Sequence, residues 1–176
     1  GGMILLAEPP ASPLAPKLAA APASQTISAG STAVFSVAAT GEGLSYQWRF
    51  NGANILGATG SSLSYSNADL FAHAGLYDVL VTDSIGTRLS QAATLIVLVR
   101  PVITSQPVAV TVLQGQTALF SVTAGPIHPL LPLYYRWLRN GSLYASNTFP
   151  DLVITNCQSN GTFRVTVGNI AGTFNS

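Results

Sequence analysis

The chain has 176 residues, room for one large or two small domains, and seven Lys+Arg against six Asp+Glu leave a net charge of +1. That balance gives no electrostatic basis for binding nucleic acid or an anionic membrane. Charged residues make up 7% of the chain and apolar residues 48%, which excludes disorder driven by charge and leaves few groups for acid–base chemistry. One Cys and two His exclude an internal disulfide and a zinc site.

The N-terminus, Gly1-Gly2-Met3-Ile4-Leu5-Leu6-Ala7, has no basic region and too short an apolar core for a signal peptide. Glu8-Pro-Pro-Ala-Ser-Pro-Leu-Ala15 reads as a stiff, extended linker. From Pro16 onward the chain repeats itself. Pro16-x-Leu18-x-x-x-Pro22 returns as Pro101-x-Ile103-x-x-x-Pro107, and Gly30-Ser-Thr-Ala-Val-Phe-Ser-Val37 as Gly115-Gln-Thr-Ala-Leu-Phe-Ser-Val122, both 85 residues on. Tyr46-Gln-Trp48-Arg-Phe-Asn51-Gly52 returns as Tyr135-Arg-Trp137-Leu-Arg-Asn140-Gly141, and Leu63-x-Tyr65-x-Asn67 as Leu152-x-Ile154-x-Asn156, 89 residues on. Gly75-x-Tyr77-x-Val79-x-Val81 and Gly86 return as Gly161-x-Phe163-x-Val165-x-Val167 and Gly172 at an offset of 86. The constant order makes these two copies of one domain.

Within each copy the hydrophobic period is two. Ala33, Phe35 and Val37 alternate with outward residues, as do Tyr46 and Trp48, and then Tyr77, Val79 and Val81. Asn51-Gly52 and Asn140-Gly141 follow the two Trp segments and signal tight hairpins. No segment predicts a helix of useful length. The apolar run Leu95–Val99, closed by Arg100 and Pro101, is far below the ~20 residues of a membrane span.

The Trp position together with the Gly-x-Tyr-x-Val-x-Val segment carries a resemblance. Each copy resembles an immunoglobulin-like domain of the I-set kind found in tandem arrays of bacterial surface proteins. The resemblance covers residues 16 to 176 and implies an all-β fold: two tandem immunoglobulin-like antiparallel sandwiches, residues 16–100 and 101–176. Residues 1–15 then form an N-terminal strand and linker. The resemblance also implies a core of Val37, Trp48, Tyr77 and Val79 in copy one, and of Val122, Trp137, Phe163 and Val165 in copy two. Val37/Val79 and Val122/Val165 stand where antibody-type domains carry their inter-sheet disulfide, so the sandwiches have none. By chain entropy the missing cross-link forgoes roughly 4 kcal/mol, and each buried Val returns ~1.5 kcal/mol. Cys157 falls elsewhere, opposite Ala68, as a small residue at a strand end.

Copy one continues past Gly86 into a final strand with Ala93, Leu95 and Val97 inward. Copy two has only Thr173-Phe174-Asn175-Ser176 after Gly172, so its own last strand is expected to be absent. Gly2-Met-Ile-Leu-Leu-Ala-Glu-Pro9 resembles Thr94-Leu-Ile-Val-Leu-Val-Arg-Pro101 in its apolar run, single charge and closing Pro. Two readings follow. Either the sequence is a window of a longer array, or residues Met3, Ile4, Leu5, Leu6 and Ala7 of one chain complete copy two of the next, pairing with Phe163–Val167.

Chemistry-bearing residues are sparse. Glu8, Glu42, Asp69, Asp78, Asp83 and Asp151 form no close cluster and read as solvated turn carboxylates. His73 and His128 have no counterparts in the other copy, and no Ser sits in a nucleophile elbow. No catalytic residue, metal or cofactor is expected. The insertion before Trp137 creates an apolar loop, with Leu130, Leu131, Leu133 and Tyr134 as a contact patch or as packing between domains. The resulting expectation is a structural or adhesive module, extracellular or at the cell surface, that associates with itself or with neighbouring immunoglobulin-like domains. The competing expectation is an accessory carbohydrate-binding or spacer module of a secreted enzyme, with Tyr134, Tyr144 and Phe149 as its exposed aromatics.

Overall fold

The structure is a computed structural model that describes residues 15–176. The expected strand Met3–Ala7 lies outside the described residues. In chain order the first copy forms β1 (Lys17–Ala20), β2 (Gln25–Ser28), β3 (Ala33–Ser36), β4 (Ala38–Thr40), β5 (Ser45–Phe50), β6 (Ala53–Asn54), β7 (Ser62–Tyr65), α1 (Leu70–His73), β8 (Gly75–Thr82), β9 (Thr87–Leu89) and β10 (Ala93–Leu98). The second forms β11 (Val102–Ser105), β12 (Ala118–Ser121), β13 (Thr123–Gly125), β14 (Tyr134–Arg139), β15 (Ser142–Asn147), β16 (Asp151–Ile154), β17 (Phe163–Asn169) and β18 (Gly172–Asn175). Contacts divide the chain into two compact units, one of residues up to Gln25, Ala33–Tyr65 and Gly75–Thr94, the other of Thr26–Thr32, Ser66–Ala74 and Leu95–Ser176. The hydrogen-bond ladders group the strands by copy instead, and each copy is described by its own ladders.

In the first copy β1 pairs with β4 and β3 with β7, while the second layer runs β2-β10-β8-β5-β6 with β9 added to β8. The period-two pattern sets the burial: Tyr77, Val79 and Val81 are 0% exposed, and the residues between them face outward. Trp48 stands directly across from Val79 and donates its indole N–H to Gly60 O at 2.9 Å. On the outer face Arg49 lies across from Asp78, with Nε–Oδ1 at 2.6 Å and Nη2–Oδ2 at 2.9 Å. Asp78 is thus a half-buried strand carboxylate in a bidentate pair, which corrects its assignment to a solvated turn.

The second copy repeats this plan as β11-β13, β12-β16 and β15-β14-β17-β18. Trp137 lies across from Val165, and both are buried with Val122, Val167 and Leu152. The two Asn-Gly hairpins match closely. Asn51 and Gly52 have φ of 48° and 83°, Asn140 and Gly141 51° and 86°, the double positive φ of a type I′ turn. Each Asn also grips the start of the strand beside it. Asn51 N–H donates to Leu76 O (2.8 Å) and Oδ1 accepts from Leu76 N–H (2.9 Å). Asn140 does the same with Thr162 at the same distances. A glycine at the start of each of these segments is set by how closely the hairpin approaches it. A Cβ on Gly75 would come within 2.7 Å of Asn51 Oδ1, and one on Gly161 within 2.7 Å of Arg139 Nε.

The expectation for the last strand of copy two needs a correction. Gly172–Asn175 does form a strand, β18, which pairs with Thr166–Asn169 of β17 just as β9 pairs with Leu80–Thr82 of β8. What the second copy lacks, among the described residues, is a counterpart of β10. The repeat extends to the last residue. Ser90 N–H donates to Val79 O at 3.0 Å while its Oγ accepts from Val79 N–H at 3.0 Å, and Ser176 makes the same two bonds to Val165, both at 2.9 Å. A serine closes the ladder where the edge strand breaks, because its hydroxyl stands in for a backbone carbonyl.

Ser90 is 6% exposed, so Ser90→Ala strands the Val79 N–H out of reach of water. That should cost about 1–3 kcal/mol, read as a lower urea midpoint at an unchanged slope.

Candidate functional site

The two copies differ in the cover over one part of the core. In the first copy β10 lies between β2 and β8 in the sheet, with Ala93, Leu95 and Val97 at no more than 1% exposure. Phe35 and Tyr77 are then 1% and 0% exposed. Their counterparts Phe120 and Phe163 are only half-buried, as is Ile154. These three side chains form the floor of a groove of about 630 Å³. One bank is Val110–Gln114, the counterpart of β2, which is in no strand here. The other carries Arg139, Tyr144 and the loop Asn156–Gly161. Val110 and Val112 line it at 37% and 36% exposure, and Val108 and Leu113 beside them stand 75% and 81% exposed.

Arg139 shapes that second bank. Its Nη2 donates to Ser159 Oγ at 2.7 Å and to the carbonyls of Ser159 and Asn160 at 3.2 Å. Its guanidinium carbon lies 5.8 Å over the Phe163 ring, and its buried Nε has no hydrogen-bond partner. Cys157 is half-buried on the rim, its thiol 3.4 Å from Ile154 O.

The remaining expected site residues are placed as follows. Leu131 (0% exposed) and Leu133 (8%) are buried and Leu130 is half-buried, so these leucines do not form an exposed patch, while Ile127 of the same loop stands 76% exposed. Within β14 the inward face carries Tyr135 and Trp137. The loop closes on itself through Leu131 N–H to His128 O at 2.9 Å. Tyr134 keeps 36% exposure, and its ring lies so close over Gly168 that a Cβ there would collide with it. Tyr144 is 45% exposed and meets Phe163 edge-on at 87°. Phe149 is 69% exposed on the turn after β15. The structure records no stacking among these three. Val37, Trp48, Tyr77, Val79, Val122, Trp137 and Val165 are buried, whereas Phe163 belongs to the groove.

The carboxylates and phenols have structural employment. Burial, then the neighbouring Tyr65, holds the Tyr77 phenol far above its usual range, and the two hydroxyls share a hydrogen bond. Burial likewise raises Tyr135. Asp83 Oδ1 accepts from the N–H of Ile85 and Gly86, at 2.8 and 3.0 Å. Its counterpart Asn169, 5% exposed, accepts from Ala171 N–H and donates to Val99 O, both at 2.8 Å. Asp69 Oδ1 caps α1 by accepting from Phe71 and Ala72 N–H, which lowers its pKa. Among the described residues no three His, Cys, Asp or Glu side chains gather to hold a metal ion, and no helix is long and apolar enough to cross a membrane.

No protein-family model matches the chain, and no curated protein matches it. Solved structures do. An I-band fragment of titin aligns at a TM-score of 0.55 and 15% identity, covering 93% of this chain and 64% of that one. A structure of Dpr2 Ig1–Ig2 in complex with DIP-Theta Ig1–Ig3 aligns at 0.68 and 19%, covering 93% of this chain and 63% of the matched one. A Dscam structure aligns at 0.68 and 19%, covering 94% and 45%. This chain spans less than two thirds of each. The similarity shows the fold, two tandem immunoglobulin-like sandwiches.

Asp69 carries a pH signature. Its folded pKa lies below its unfolded value of about 4, so its contribution is present above that value and lost as the pH falls through the folded one. The amide shifts of Phe71 and Ala72 should therefore titrate with a midpoint below ~3.9, and Asp69→Asn should abolish that titration.

Proposed function

We propose that the chain is a structural or adhesive module of an extracellular or cell-surface assembly, with residues 16–100 and 101–176 as its two immunoglobulin-like domains. The reading rests on one observation: the described residues fold as two tandem immunoglobulin-like sandwiches, the architecture of the titin, Dpr2–DIP-Theta and Dscam structures with which they align.

Immunoglobulin-like tandems meet other such tandems in the Dpr2–DIP-Theta complex, and an association of that class suits the apolar side chains this chain exposes, among them Leu56, Phe71 and Phe149. The partner is another immunoglobulin-like domain, and in the simplest case a second copy of this chain. A head-to-tail contact of that kind is heterologous and propagates into a filament unless it closes a ring. The bacterial surface arrays that the repeat resembles are the setting this reading points to. The carbohydrate-binding alternative needs coplanar exposed rings, and Tyr144 is instead held edge-on against Phe163.

Sedimentation velocity over a hundredfold concentration range tests the reading. The wild-type chain should move from monomer to a ladder of oligomers, with elongated particles by electron microscopy. A single monomer species at every concentration would refute it.

A further inference from the structure

We infer that Asn160-Gly161 is a self-modifying site, where the chain deamidates itself through a cyclic imide with Arg139 as the activating residue. This inference goes beyond the assembly reading above and does not depend on it.

The chain carries three Asn-Gly pairs, Asn51-Gly52, Asn140-Gly141 and Asn160-Gly161. In each, glycine has no side chain to shield the main-chain nitrogen that can attack the asparagine amide. The fold treats the three differently. Asn51 and Asn140 sit at φ of 48° and 51° in their hairpin turns. Each Oδ1 is held at 2.9 Å by an N–H, of Leu76 or Thr162. Closing a ring onto the next nitrogen would break both the side-chain bond and the type I′ turn. Asn160 is exposed and lies outside any strand, and it is not among the residues of positive φ. Among the described residues none bonds to its side-chain amide, so that amide is free to turn onto Gly161.

Arg139 supplies the activation. Its Nη2 donates to Asn160 O at 3.2 Å, and that oxygen belongs to the peptide bond whose nitrogen must attack. A cationic donor there draws electron density from the amide and makes the Gly161 N–H more acidic. The guanidinium also lies against Gly161 itself, where a Cβ would come within 2.7 Å of Nε and 3.2 Å of Cγ. That contact favours glycine, the residue least able to block attack, directly after Asn160. The buried Nε has no hydrogen-bond partner, so a donor stands ready for negative charge that develops beside it.

The step balances without a cofactor. Gly161 N gives its proton to hydroxide and attacks Asn160 Cγ. The Cγ–Nδ2 bond breaks, and Nδ2 takes a proton from water and leaves as ammonia. Water then opens the imide at either carbonyl. One opening gives aspartate, and the other gives isoaspartate, with the main chain rerouted through Cβ and Cγ. Either product carries a new carboxylate next to Arg139 and lowers the chain's net charge of +1 by one unit.

The experiment incubates the full wild-type chain at mildly alkaline pH, folded and in urea, and follows aspartate and isoaspartate at each pair by peptide mass spectrometry. In urea the three pairs should react at similar rates. In the folded chain Asn51 and Asn140 should slow at least tenfold, whereas Asn160 should react at least as fast as in urea. Its folded rate should rise in proportion to hydroxide concentration, because the attacking nitrogen must lose its proton. Arg139→Gln, in a chain that keeps the wild-type near-ultraviolet spectrum, should slow Asn160 several-fold when folded and leave its rate in urea unchanged. Slowing of Asn160 on folding to the level of the other two pairs would overturn the site. An unchanged folded rate in Arg139→Gln would overturn the activation by Arg139. If that variant loses the spectrum, the comparison of folded and urea-treated wild-type chain decides alone.

Discussion

A central strand of a sandwich has both edges hydrogen-bonded and its inner face covered, and the central antiparallel pair carrying the tryptophan is where each copy meets that need first. Trp48 faces Val79 across β5 and β8, and Trp137 faces Val165 across β14 and β17. With valines in place of a cross-link, the two layers are held by burial alone. The other recurring features serve this pair. The Asn-Gly turns deliver the chain back beside it, the Asn side chains grip the start of the second strand, and Ser90 or Ser176 closes its far edge.

The copies differ in ways that preserve this arrangement, because partners change together. Tyr77 and Tyr65 share a hydrogen bond in the first copy, and Phe163 and Ile154 replace both in the second. Removing both partners of a buried bond is nearly neutral, whereas removing one leaves an unpaired polar group. Phe50, 5.0 Å from the Tyr77 ring, becomes Arg139, which covers the Phe163 ring as a cation. Arg49 and Asp78 become Leu138 and Arg164, so the bidentate pair disappears as a unit. One exchange is incomplete. Trp48 donates to Gly60 O, but the buried Trp137 Nε1 finds no acceptor, a cost that the second sandwich carries.

Most of the fold was legible because a period of two is unambiguous when Trp, Tyr and Val mark the inward face and Asn-Gly marks the turns. The loop before Trp137 is less legible: its composition leaves open whether its leucines are exposed or packed, and only the structure shows Leu131 and Leu133 buried and Tyr134 partly exposed. β18 was likewise contained in the offset of 86, which carries Thr87–Leu89 onto Thr173–Asn175. It was missed because the last strand of copy one is split at Ser90, and no residue pattern announces such a break before the ladder is seen. The groove could not be read from local sequence at all. Phe120 and Phe163 have the same pattern as the fully buried Phe35 and Tyr77, and nothing in that pattern distinguishes a half-buried ring from a buried one.

The two copies also show how a position can keep its place in the fold while its chemistry changes. The ladder from β15 through β14 and β17 to β18 is continuous, and Ser176 bonds Val165 as Ser90 bonds Val79. Phe163 tolerates its partial exposure because it carries no hydroxyl that would have to find a partner, and Arg139 lies over its ring while bonding to Ser159 and Asn160. The matching residue of the first copy, Tyr77, is fully buried and shares its hydroxyl with Tyr65. The polar group is therefore present where a partner accompanies it and absent where none does, which is the arrangement that avoids the cost of a buried unpaired hydroxyl.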